Sequence, residues 1–215
     1  MRFWRDEVSL SVLLIVLIGS ELVLPAIAPN RPAHDPITGV LVSCVLLAGA
    51  ATVWSRNRWL VRAVTLLCFV APVVWWLGWS DPDGTLAAFQ PAVTVVVLAL
   101  LALMVLASVL RAGTITRHQI QGAIAAYLLL GLAWASAYEW IALRDPMAFS
   151  GSVGAMQWTY YSLVTLTTMG YGDVTPISPA ARSLAVAEAI TGQMYIAILI
   201  SRLVALSLGR DAGQK

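Results

Sequence analysis

Thr165-Leu166-Thr167-Thr168-Met169-Gly170-Tyr171-Gly172-Asp173 forms a short connection between two long apolar segments. Glycine tolerates positive φ, so the alternate glycines Gly170 and Gly172 let this run turn successive carbonyls the same way. Thr168 adds a hydroxyl below them. Four such strands around one axis would present stacked rings of oxygens, able to stand in for the water shell of a dehydrated cation. A lone Gly-Tyr-Gly fits any turn. A threonine run followed by alternating glycines, set between two membrane-length segments, is more than an ordinary turn requires.

The composition around this loop fixes the class. The 215-residue chain is 60% hydrophobic and 11% charged, with mean hydropathy +0.82, whereas soluble domains carry about 25% charged residues. It therefore reads as an all-α membrane protein with no room for a large soluble ligand domain. A net charge of +2 is too small to point to nucleic acid. Cys44 and Cys68 lie inside apolar segments without metal-ligand spacing and read as buried thiols. His34 and His118 fall in separate loops. With no nucleophile elbow, phosphate loop or paired carboxylates, the sequence indicates no enzyme and no cofactor.

Outward from the loop, the hydropathy predicts six spans near the ~20 residues a bilayer demands. They are 8–28, 37–54, 60–79, 86–110, 120–143 and 182–208, with a re-entrant region at 144–181 between the last two. Ala26-Ile27-Ala28 resembles a signal-peptide cleavage site, but Pro29 fits poorly after a cut and the run is long enough to span. Within that re-entrant region, Ala155–Thr167 is too short to cross and must dip in and return, which backbone tolerates only where protein or water covers it. Its C-terminal end would point inward, carrying about half a negative charge.

Positive charges set the orientation. With the N-terminus inside, the inner side holds Arg2, Arg5, Arg56, Arg58, Arg62, Arg111, Arg117, Arg202, Arg210 and Lys215, ten of the 13 Lys and Arg. Arg31, Arg144 and Arg182 face outward. Both termini are then cytoplasmic, in a plasma (inner) membrane, and the glycine loop opens outward. Trp54 and Trp59 mark inner borders; Trp75, Trp76, Trp79 and Trp140 mark outer ones.

The nine-residue stretch resembles the selectivity filter of the tetrameric potassium-channel family, Thr-Val-Gly-Tyr-Gly, with Met169 in the valine position. Thr165-Leu166-Thr167 before it, Asp173 just outside and Pro176 beyond match as well, and residues 119–210 resemble the whole pore module. The resemblance implies a homotetramer in membrane lipid that passes K⁺, with K⁺ held by the carbonyls of Thr168, Met169, Gly170 and Tyr171 and the Thr168 hydroxyl. It implies an outer turn at Gly172, a mouth carboxylate at Asp173, and support from Trp158, Tyr160, Tyr161, Val164 and Thr167 on the pore helix. Val164 departs from members that carry a glutamate there to pair with the mouth aspartate.

On the inner helix, Gly192 stands at the family's hinge position, with close packing an equal reading. Gln193, Ile196, Ile200, Ser201 and Val204 recur at helical spacing and could line the cavity and lower gate. Glu139 matches a position that reaches the start of the inner helix. Glu188 is expected to be paired behind the filter rather than exposed to lipid. The chain divides into a four-helix peripheral domain (1–111), a pore domain (112–210) and a short tail (211–215). The six-span order is that of voltage-gated channels, yet 86–110 carries no arginine, so voltage dependence should be weak or absent. The competing functions are a non-selective cation channel, a transporter subunit of the same superfamily and a non-conducting regulatory membrane subunit.

Overall fold

The computed structural model describes residues 2–20, 36–53, 58–80, 85–111, 116–151 and 155–212. Among the described residues seven helices carry the fold: α1 (Arg2–Ile18), α2 (Pro36–Val53), α3 (Arg58–Ser80), α4 (Thr85–Arg111), α5 (Arg117–Arg144), α6 (Ala155–Leu166) and α7 (Pro179–Ala212). Two-residue strands β1 (Phe149–Ser150) and β2 (Thr175–Pro176) pair antiparallel, Phe149 opposite Pro176 and Ser150 opposite Thr175. The protein is thus an all-α membrane protein. By length and composition, three stretches among the described residues can cross a bilayer: Phe89–Leu110, Arg117–Arg144 and Pro179–Leu206. Thr65–Gly78 is a shorter apolar stretch.

The ends of these helices follow from local chemistry. At the start of α5, the Thr116 N–H donates to the Gln119 side-chain oxygen at 3.2 Å, half of a capping box. At its end Arg144, a cation on the negative pole of the dipole, lies 4.5 Å over the Trp140 ring. Asp145 then turns the chain by accepting the Met147 N–H at 3.1 Å. Helix α7 opens on Pro179, whose missing N–H goes unneeded at a first helical position. The Ser178 hydroxyl caps it by accepting the Ala181 N–H at 3.2 Å.

Helix α5 is the hub. It packs against α4, α1, α6 and α7, while α1, α2, α3 and α4 each pack against the next. Its buried face is built from small residues, Gly122, Ala123, Ala125, Ala126, Gly131, Ala133 and Ala135, with Leu129 and Tyr138. Small side chains let helices approach closely, which replaces the hydrophobic drive that lipid cannot supply. Leu13, Leu17, Val45, Leu46, Leu98, Leu101 and Val105 fill the space between α5 and the outer helices.

One expectation changes. Cys68 is buried as expected, but Cys44 is exposed, because it lies on the outward face of α2. Trp75 is 5% exposed within the subunit, packed against Gly39 and edge-on to Trp76. Glu21, the 26–28 cleavage signal, Pro29, Arg31, His34, Trp54, Arg56, the 81–84 turn and Lys215 lie outside the described residues.

Candidate functional site

Helix α6 has 12 residues, about 18 Å at 1.5 Å per residue, against a hydrocarbon core of about 30 Å. It packs between α5 and α7. Gly131 on α5 makes this fit possible, since a Cβ there would collide with Leu163. Behind α6 lies an aromatic cluster. Phe149 meets Trp158 at 4.9 Å, Tyr161 at 5.6 Å and Tyr138 at 5.8 Å, all edge-on. Tyr138 and Tyr161 are 4.8 Å apart. Such contacts are worth about 0.5–1.5 kcal/mol each beyond burial. The β1–β2 ladder positions Phe149, and the Ile177 N–H donates to the Ala148 carbonyl at 2.7 Å.

At its C-terminal end α6 folds its continuation back on itself. The N–H groups of Thr167, Thr168 and Met169 donate to the carbonyls of Leu163, Thr165 and Val164 at 2.9–3.0 Å. Gly170 N–H also reaches Val164 at 3.4 Å. Val164 therefore serves the loop through its backbone carbonyl, and its half-buried side chain offers no carboxylate. The loop φ values are positive at Thr168 (59°), Gly170 (55°) and Gly172 (81°). Met169 and Tyr171 between them are not in that region. This alternation is the backbone pattern that lets consecutive carbonyls share one side. Residues 167–173 are exposed on the single subunit. The Tyr171 ring stacks on Tyr160 with centroids 6.5 Å apart and planes 3° from parallel.

Helix α7 supports this loop along one narrow stripe: Ala181, Glu188, Gly192 and Tyr195 are buried. Gly192 lies so close to the Leu166 carbonyl that an added Cβ would overlap it, which favours the close-packing reading. The Tyr127 hydroxyl donates to the same carbonyl at 3.2 Å. The next residue on α7, Gln193, donates its Nε2 to the Thr168 hydroxyl oxygen at 2.9 Å. Ile196, Ile200, Ser201 and Val204 lie on the exposed part of the helix, off the buried stripe, and the Ser201 hydroxyl donates to Ala197. Glu139 is half-buried on α5. Glu188 is fully buried and contacts the hydroxyls of Tyr138 and Ser162.

Trp158, Tyr161, Tyr171, Gln193, Gly192 and Glu188 thus converge around one 12-residue helix and its following loop. The sequence reading missed Tyr138, Phe149, Ser162 and Tyr127. A signal existed for Tyr138 and Ser162, which are polar groups inside apolar helices and need partners. None existed for Phe149, whose role depends on a two-residue ladder.

Comparison with known proteins bears on this same half. A family model described as an ion channel matches residues 124–207. Two-pore potassium channel 1 of Arabidopsis thaliana is 38% identical over 60 residues, 28% of this chain and 16% of that protein. Two pore potassium channel c of Oryza sativa subsp. japonica is 33% identical over 87 residues, 39% of this chain and 18% of its own. Two pore potassium channel b of the same plant is 34% identical over 79 residues, 37% and 21% respectively. The matched stretch therefore spans about a fifth or less of each relative. No solved structure matches the chain. The ion-channel match falls within the part of the chain that holds α5, α6 and α7.

Proposed function

We propose that this chain is the subunit of a potassium-selective channel. Four copies surround one axis, and each contributes the loop 168–172 as one wall of the filter. K⁺ sheds its water, enters the cage of Thr168, Met169, Gly170 and Tyr171 carbonyls with the Thr168 hydroxyl, and is pushed on by the next ion. Asp173 concentrates cations at the mouth. The chain crosses the inner membrane six times, α6 and its loop re-enter from outside, and both termini are cytoplasmic. No enzymatic step is involved.

The observation that carries this reading is the positive φ at every second residue, Thr168, Gly170 and Gly172, at the end of a helix too short to cross. Added support comes from the exposure of Met169 (64%) and Tyr171 (68%) on the isolated subunit, apolar groups that neighbouring copies would cover.

Purified protein in liposomes tests the proposal. With K⁺ on one side and Na⁺ on the other, the expected reversal potential lies near that of K⁺. Equal permeability would replace the proposal with a non-selective pore. Vesicles that stay tight to both ions would end it.

A further inference from the structure

Glu188 sits where three helices meet through polar atoms. Its Oε2 faces the Tyr138 hydroxyl on α5, and its Oε1 lies 2.5 Å from Ser162 Oγ on α6. The same Ser162 Oγ lies 2.7 Å from the Gly131 carbonyl on α5. Glu188 and Ser162 are both fully buried. Among the described residues no cation faces the carboxyl group; the other titratable side chains around it are Tyr127, Tyr138 and Tyr161.

Three hydrogen bonds need three protons. A serine hydroxyl carries one and a tyrosine hydroxyl carries one. If Ser162 gives its proton to the Gly131 carbonyl, which can only accept, nothing remains for the Glu188 contact. A single serine proton shared between two acceptors would leave each with a bent, weakened bond. The count closes when Glu188 supplies the third proton: its acid O–H donates to Ser162, Ser162 donates to Gly131, and Tyr138 donates to the other carboxyl oxygen. A buried carboxyl group without a cation beside it has the same preference, since an ion there has nothing to offset its lost hydration.

We infer that Glu188 is a proton-bearing positioning residue, a neutral acid that locks α6 to α5 and α7. The effect on ion selection rests on the filter reading above; the protonation state does not.

The full chain in lipid vesicles is compared with Glu188→Gln by infrared difference spectroscopy. The expected spectrum shows a protonated-carboxyl C=O band in the wild type that the variant lacks. In Ser162→Ala that band moves to higher frequency, because the acid proton has lost its acceptor. A difference spectrum with only ionised-carboxylate bands overturns the inference, as does a band that Ser162→Ala leaves in place. In reversal-potential measurements, Glu188→Gln retains the K⁺/Na⁺ ratio that Glu188→Ala lowers about tenfold, the size of a lost buried hydrogen bond. Equal loss in both variants also overturns it. If the wild type passes no K⁺, the channel proposal fails and the infrared result alone decides this one.

Discussion

Thr168 holds a backbone conformation that its side chain resists. Positive φ is rare for β-branched residues, and left-handed backbone costs about 1–2 kcal/mol for a residue with a Cβ. Gln193 offsets part of this by bonding the Thr168 hydroxyl. Gly170 and Gly172 meet no such resistance. A Cβ at either would touch nothing within 4 Å, so Gly170→Ala or Gly172→Ala should cost only the backbone term, about 1–2 kcal/mol each. Thermal unfolding and reversal potentials of both variants check this, and selectivity should fall in both. Gly192→Ala is a different case. Its Cβ meets a backbone carbonyl that cannot step aside, so about 1–3 kcal/mol of overpacking is expected. If Gly192 were only a hinge, stability would be unchanged and open probability alone would move. The glycines were legible because φ > 0 is written into their chemistry. The strain at Thr168 and the partners of Glu188 were not, because the tethering residues lie 25 to 50 positions away in sequence.

At the scale of elements, α6 is steadied by α7 on one side and by the aromatic cluster on the other. Phe149 is the hinge pin of that cluster, in contact with three other rings. Phe149→Ala should destabilise the fold by about 3–5 kcal/mol, read as a lower melting temperature in detergent. Tyr127→Phe removes one bond to Leu166 and should cost about 1 kcal/mol. Hydropathy located the described helices well because apolar runs of membrane length have few alternatives. It misplaced their ends: α5 begins at Arg117 rather than Ile120, and α7 at Pro179 rather than Arg182. Those extra turns are polar or proline-led, and capping groups extend a helix past its apolar run. The β1–β2 ladder left no trace, since two residues carry no periodicity.

At the scale of the whole molecule, the three long helices differ in how much they bury within one subunit. The apolar window of α5 is 44% buried and that of α7 only 11%. Val186, Ile190, Met194, Ile198 and Ile200 remain exposed along α7, a surface suited to other copies. For the proposed four-fold assembly, chemical crosslinking in membranes should yield a ladder ending at four. Helix α4 has no arginine before Arg111, and one charge crossing 100 mV gains only about 2.3 kcal/mol. Current should accordingly scale in a straight line with voltage, and a steep conductance–voltage curve in bilayer recordings would contradict this.

The small-residue wall of α5 also has a bearing on anyone wishing to strip this protein to a minimal conduit. On that helix Leu10 of α1 and Val109 of α4 close over Gly122, and Ser11 reaches Gln121 at 3.3 Å. A version trimmed ahead of Thr116 would leave shallow notches that acyl chains fill badly. Rebuilding those notches with bulkier aliphatic side chains, rather than trimming alone, is the way to a compact derivative that still folds.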